Sequence, residues 1–391
     1  MKKLLFVNNN MKIGGVQKSL CNLLIEISGL YDITLLLFDK SGDYLNDIPS
    51  NVKVISTKSA FHCLGISQSE AIGGWKLLRG FFVIFSRVFG LPAALKLISL
   101  TQRKIIGYDV AISFLHASRS SGFYGGCNEF VLNKVISKEK ITFLHCDYTQ
   151  TGAANDYNNS NYRRFDKIAA CSEGCRQKFL EVIPEMTDRC FVVRNCNDFR
   201  EIAVLSEQEP VCYDKSYLNI LTVARLGGEK GIERVIPAIY QCVQKGYNVR
   251  YHIVGDGIMR SKLENMVKDL KIEENIFFYG NQANPYRFMK NADLLVLPSY
   301  HEAAPMVFDE AICMNLPILA TKTTSTDEMI LKVNAGWVCE NSEDGILKAL
   351  MGIASDPEAL SKAAKQMREA TYQFNNNSSV NQFQIMLETS I

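Results

Sequence analysis

Much of what the 391-residue sequence establishes comes from what is missing. No uncharged apolar run approaches the roughly 18–20 residues a membrane-spanning helix needs, so no span is expected. The opening MKKLLFVNNN reaches three asparagines too soon to hold the apolar core of a secretory leader, and it reads instead as a first strand. The 12 cysteines contain no C-x-x-C pair. They read as reduced, mostly buried thiols of a cytoplasmic protein, not as a disulfide framework. Cys171 and Cys175 can share a helix face, but no companion His or Cys completes a zinc set, so no metal is expected. A net charge of +2 offers no bulk attraction for nucleic acid. The G-x-G-x-x-G of nicotinamide binders and the G-x-x-x-x-G-K-[ST] of triphosphatases are both absent. So is any Asp-x-Asp, which removes the commonest short motif for carrying a divalent ion. One more absence is local: between Ala71 and Tyr108 there is no acidic residue.

What is present describes a globular chain, 47% hydrophobic and 21% charged, long enough for two cores. Short apolar runs over 4–7, 33–38, 52–55, 110–114, 141–144, 167–171 and 191–194 alternate with amphipathic segments such as 16–27 and 173–182. That alternation predicts an α/β, doubly wound parallel sheet. The pattern loosens over 200–217, read as a linker. A second alternation then begins, with strands predicted over 219–224, 249–254, 276–279, 293–298, 316–320 and 336–339. Helices are predicted over 232–245, 259–270, 342–355 and 357–370, and a last one over 378–387.

Three stretches carry chemistry. Gly14 and Gly15 lie between the first strand and its helix, where backbone can approach a ligand closely. The turn from Arg225 to Gly231 sets two cations and three glycines between a strand and a helix, a place that welcomes anionic oxygens. The same residues could equally be a solvated turn. Glu302 and Glu310 stand with seven residues between them in a strand–loop–helix segment in which Pro305 suits a first helical turn. A carboxylate at Glu310 has two acceptor oxygens for a vicinal diol such as ribose. Taken with the cationic turn, these residues describe a site for a nucleoside diphosphate. His116 and His145 both come just after predicted strands, where a histidine can carry a proton or serve as a structural contact.

The acid-free stretch has two readings. Six cations (Lys76, Arg79, Arg87, Lys96, Arg103 and Lys104) are interleaved with aromatic and aliphatic residues from Trp75 onward. A basic amphipathic helix of this kind lies on a bilayer surface. The alternative is a domain helix whose long cationic side chains snorkel.

The R-x4-K-G turn, the Gly255-Asp256-Gly257 after the next strand and the E-x7-E segment resemble the retaining glycosyltransferases of family 4, which have the GT-B fold. The His145-Cys146-Asp147-Tyr148 segment is similar to enzymes assembling bacterial capsule, O-antigen or exopolysaccharide. The resemblance covers nearly the whole chain. It implies two Rossmann-like domains facing a cleft: 1–199 for the acceptor and 218–370 for the nucleotide-sugar donor. Residues 371–391 would form a helix crossing back to the first domain. It implies a retaining, metal-independent transferase with no cofactor, moving a hexose-type sugar from a UDP- rather than GDP-sugar to a glycan or lipid-linked hydroxyl. Alternatives of the same fold are a sugar-nucleotide epimerase, or a non-catalytic homologue that binds sugar nucleotides or partners a catalytic subunit. Arg225 and Lys230 would hold the diphosphate, Glu310 the ribose and Glu302 the transferred sugar. Gly15 would lie against the phosphates or the acceptor, and His145 would contact the sugar or acceptor near the reacting carbon. Ala303, Ala304, Pro305, Met306 and Val307 would complete the donor site. Ala303 stands where the family usually has glycine, which bears on sugar identity. Expected partners are the nucleotide-sugar, the acceptor and, through 75–104, a membrane surface; no nucleic acid is expected. The expected location is cytoplasmic, with a peripheral seat on the inner face of the membrane.

Overall fold

The computed structural model describes residues 1–117, 123–356, 358–369 and 374–390. Residues 357 and 370–373, at the edges of the helix expected over 357–370 and of the terminal segment 371–391, lie outside them, as does 391. The chain divides into two compact units, one of Met1–Cys196 with Asn376–Ile391 and one of Asn197–Asn375.

The first unit is built on seven strands: β1 (Lys3–Asn8), β2 (Asp32–Leu37), β3 (Lys53–Ser56), β4 (Ile105–Ser113), β5 (Val135–Leu144), β6 (Lys167–Ala170) and β7 (Cys190–Val192). They run parallel in the order β3-β2-β1-β4-β5-β6-β7. Leu4, Leu5, Phe6 and Val7 are all fully buried, as expected of a parallel strand covered on both faces. The last helix, Asn377–Glu388, belongs to this unit. Its Phe383 packs on Phe6 with ring centroids 6.2 Å apart, and Lys2 Nζ donates to Leu387 O at 3.1 Å. The terminal helix thus closes one face of the first sheet, supplying Phe383, Met386 and Leu387 to its core.

The second unit holds β8 (Leu218–Val223), β9 (Val249–Val254), β10 (Ile276–Gly280), β11 (Leu294–Leu297), β12 (Ile318–Thr321) and β13 (Gly336–Cys339). Their order is β10-β9-β8-β11-β12-β13, again parallel. Two apolar clusters cover its faces, one around Ile239 and Tyr251, the other around Phe288 and Phe308.

The division falls just before the expected linker, and part of 200–217 is ordered as a helix, Phe199–Ser206. Asp198 caps it by accepting from Glu201 N at 2.8 Å, and Ile202 is buried in the second unit's core. The stretch that reads as loose begins with a capped helix because one apolar residue per turn suffices when a neighbouring core covers it.

Both sheets reverse direction of winding at one point, between β1 and β4 in the first unit and between β8 and β11 in the second. The carboxyl ends of strands at such a switch point are where open α/β sheets bind ligands. Of the residues expected to do chemistry, Gly15, Arg225, Lys230, Glu302 and Glu310 lie on the segments that leave these strand ends, whereas His145 follows β5.

Candidate active site

In the second unit, β8 leads into the turn that carries Arg225 and Lys230, with a short 3-10 helix at Gly228–Lys230. Gly231 comes next with φ +62°, in the left-handed region, and a Cβ there would meet Pro298 O at 2.3 Å. Glycine is required on both counts, since the turn must press against the end of β11. Three further contacts hold the two segments together. Tyr300 N donates to Glu229 O at 3.0 Å. The Arg234 guanidinium donates to Pro298 O, and to Asn341 Oδ1 at 2.8 Å. The same guanidinium lies 3.9 Å from the centroid of the Tyr300 ring.

This clamp places Lys230 Nζ 2.7 Å from Glu302 Oε1, a pairing across 72 residues of sequence. Ser299 Oγ donates to the same carboxylate oxygen at 2.6 Å. Both members of the ion pair are mostly covered, the side chains being 22% and 12% exposed, whereas Arg225 is 72% exposed. Arg225 is held by Glu229, its NH2 donating to Oε1 at 2.5 Å. Each of the two cations therefore has a carboxylate beside it.

The segment after Glu302 runs through Ala303, Ala304 and Pro305 into the helix Met306–Cys313, with Pro305 at its N-cap. Met306 and Val307 begin the first turn, whose N–H groups have no preceding turn to bond. Glu310 is one turn in, nearer the helix start than its spacing from Glu302 suggests, and is 6% exposed. The Tyr286 hydroxyl lies 3.4 Å from its Oε1, in donating position. Next to it, Asp309 Oδ2 accepts from Asn197 Nδ2 at 3.0 Å. The arrangement gathers Arg225, Lys230, Glu302, Ala303–Val307 and Glu310 on the segments after β8 and β11.

Gly15 and His145 belong to the first unit. Gly15 opens the helix Gly15–Ile27, which has no acidic residue in its first turn and no side-chain cap. A Cβ at Gly15 would meet nothing within 4 Å, so no protein atom demands glycine there. The preceding Asn9 and Asn10 have a structural role, donating to Leu64 O and Gly65 O at 3.0 and 2.7 Å.

His145 comes directly after β5 and lies against Phe114 and Phe143, with ring centroids 4.8 and 5.6 Å away. Burial, then the neighbouring His116 charge, holds its pKa down at about 3, against a smaller opposing effect of a backbone hydrogen bond at Phe114. Burial lowers His116 to about 4. His145 Nε2, His116 Nδ1 and Asn8 Oδ1 are closed off from solvent and have no hydrogen-bond partner among the described residues. Such enclosed, unsatisfied polar atoms are costly unless something else meets them. Asp147 of the same segment is a turn residue, its Oδ1 accepting from Thr149 N, Thr149 Oγ1 and Gln150 N.

Sequence reasoning did not single out Arg234, Ser299 or Tyr286 as members of the site. Ser299 lies three residues before Glu302, close enough in sequence for the two side chains to meet. Arg234 and Tyr286 had no local signal, because their partners are distant in sequence. Cys171 and Cys175 bring their sulfurs to 3.8 Å within the core. Among the described residues no group of three or more His, Cys, Asp or Glu is placed to hold a metal ion.

Residues 211–374 match the family model for glycosyl transferases group 1. The chain is 23% identical over 260 residues to the N-acetyl-alpha-D-glucosaminyl L-malate synthase of Bacillus anthracis, covering 62% of this chain and 66% of that protein. It is 26% identical over 170 residues to a putative colanic acid biosynthesis glycosyltransferase, WcaL, of Escherichia coli K12, covering 41% and 42%. The chain thus spans less than two thirds of the length of these curated relatives. Among solved structures, Anabaena HepE in complex with UDP and glucose superposes with a TM-score of 0.70, at 16% identity over all of both chains. That likeness concerns the fold: two Rossmann-like α/β units of the GT-B class. Within it, the match to the group 1 glycosyl transferases extends over residues 211–374, less than half of the chain.

Proposed function

We propose that this protein is a retaining, metal-independent glycosyltransferase that moves a hexose-type sugar from a UDP-sugar to a hydroxyl of a glycan or lipid-linked acceptor in surface polysaccharide synthesis. The observation that carries the reading is the meeting of Lys230 with Glu302 at 2.7 Å beside the buried Glu310. It collects at one switch point a cation for a diphosphate, a carboxylate for a sugar and a carboxylate for a ribose. The relative of WcaL type favours polysaccharide, and the UDP in the HepE structure favours a uridine donor.

In this reading the donor diphosphate replaces Glu302 as the counter-charge of Lys230, and Arg225 turns from Glu229 to the same phosphates. Glu302, released, accepts from hydroxyls of the transferred sugar. Preorganised cations and first-turn N–H groups stabilise the charge that develops on the departing diphosphate. The leaving phosphate oxygen takes the proton of the acceptor hydroxyl, so the new glycosidic bond forms on the face from which UDP departs. No protein nucleophile is needed, and Glu302 is not assigned that part. His145, kept neutral by burial, can bond a sugar or acceptor hydroxyl without carrying charge to the reacting carbon.

A panel of nucleotide-sugars screened by thermal shift, followed by slow hydrolysis of the best donor, tests the reading. A raised unfolding temperature with a UDP-sugar and release of a sugar of unchanged anomeric configuration are expected. Stabilisation by no nucleotide-sugar would refute it, and conversion of the donor to an epimer without hydrolysis would assign the other chemistry.

A further inference from the structure

An amphipathic helix is expected to turn its apolar stripe toward a core. The helix Gly73–Phe89 buries Phe82 but leaves Leu77, Phe81, Ile84, Val88 and Phe89 exposed. Its inner face is tied to the first unit. Arg79 NH1 donates to Cys63 O at 3.1 Å, Trp75 stacks near His62 with centroids 4.5 Å apart, and Phe82 lies parallel to Phe123. The outer face carries Leu77, Phe81, Ile84 and Val88, exposed by 79%, 52%, 64% and 68%. These positions are spaced i, i+4, i+7 and i+11, which places them in one stripe about 16 Å long. Lys76 and Arg87 flank the stripe near its two ends, both exposed and without an ion-pair partner among the described residues. No acidic residue lies between Ala71 and Tyr108 to neutralise them.

We infer that this stripe is the seat of an anionic lipid bilayer, the helix lying in the interface with its four apolar side chains inserted. Three observations choose this occupant. Among the described residues no helix is long and apolar enough to cross a membrane, so contact through this helix is lateral. The cations at the stripe's ends complement anionic headgroups. A second copy pairing antiparallel through the same stripe would set Lys76 against Arg87 of its neighbour, a like-charge contact with no acidic residue on the helix to offset it. The inference stands apart from the donor site, since it uses none of its residues.

Flotation of the full chain with phosphatidylcholine vesicles, with and without added phosphatidylglycerol, tests it. The wild type should float with the anionic vesicles, and binding should drop on raising salt. Leu77→Gln/Ile84→Gln/Val88→Gln should abolish flotation. Lys76→Ala/Arg87→Ala should weaken it roughly ten- to thirtyfold at low salt, at about one kcal/mol per cation. Both variants should keep the wild-type unfolding temperature and UDP affinity, because the substituted side chains are exposed. Absence of wild-type flotation, or flotation of the triple variant like wild type, would overturn the inference. So would a wild-type dimer in sedimentation that the triple variant dissolves, which would make a second copy the occupant.

Discussion

The two units place polar groups at the carboxyl ends of strands in the same kind of sheet, yet the groups differ in kind. After β8 and β11 the second unit presents charges: Lys230 against Glu302, Arg225 against Glu229 and a buried Glu310. After β4 and β5 the first unit presents neutral imidazoles, both pushed far below the usual histidine range by burial. The second unit's charges satisfy one another and remain ready to exchange partners with a charged ligand. In the first unit, His145 Nε2 and His116 Nδ1 are enclosed and have no hydrogen-bond partner among the described residues. The same kind of sheet thus carries chemically distinct side chains on the segments beyond its strand ends.

That contrast is broken most strongly at the ion pair. Glu302→Ala should lower transfer about 10²–10³-fold, the range seen for loss of one preorganised contact, while UDP affinity measured by calorimetry stays within a few-fold or improves. Lys230→Ala should instead weaken UDP about ten- to a hundredfold, as expected for a charged hydrogen bond worth ~1.5–3 kcal/mol. Glu310→Ala should weaken it on the same scale. Unchanged UDP affinity in both would remove the donor-site assignment.

On the neutral side the next largest effect is kinetic. His145→Asn should lower kcat without changing UDP affinity. A parallel loss of UDP binding would erase the distinction between charged and neutral sites.

A smaller effect is on stability. Unfolded histidines gain protons as pH falls through about 6.5, whereas His116 and His145 in the folded chain resist until about 4 and 3. The unfolded state therefore binds more protons across that window, and stability falls as pH drops from about 6.5 toward 4. For His116 alone the loss is on the order of 3 kcal/mol by pH 4. His116→Asn should flatten this limb in urea unfolding series taken from pH 7 to pH 4; an equally steep limb would mean that the imidazole is not kept neutral. The smallest effect is expected at Ala303→Gly, which should broaden sugar preference among UDP-donors with little change in UDP affinity. Identical sugar preference would move specificity away from Ala303–Pro305.

Much of this was legible along the chain because it is local. Apolar runs such as 4–7 and 293–298 predict buried parallel strands, and the structure has β1 and β11 there. The glycine-rich cationic turn and the E-x7-E spacing announce themselves because their residues lie within one turn or one βαβ unit. The helix Phe199–Ser206 was not legible, since Phe199, Ile202 and Leu205 within eight residues make too short a pattern to read. Nor was the burial of His145, as its ring is enclosed by Phe114 and Phe143, one of them thirty-one positions away on the neighbouring strand. The acid-free stretch showed its composition but not its exposure: which face of Gly73–Phe89 meets protein depends on Cys63, His62 and Phe123.

The sequence by itself determined the alternation of strands and helices, the parallel class of both sheets and the residue types at the strand ends. Backbone periodicity and turn chemistry act over a few residues, so a one-dimensional pattern contains them. Only the tertiary structure decided that Lys230 meets Glu302, that Arg234 and Tyr300 clamp their two segments, and that four apolar residues of one helix face outward. Those outcomes depend on which strands become neighbours. The order β8-β11 joins residues 74 positions apart, Asn219 to Asp293 and Thr222 to Val296, so no pattern along either strand contains it.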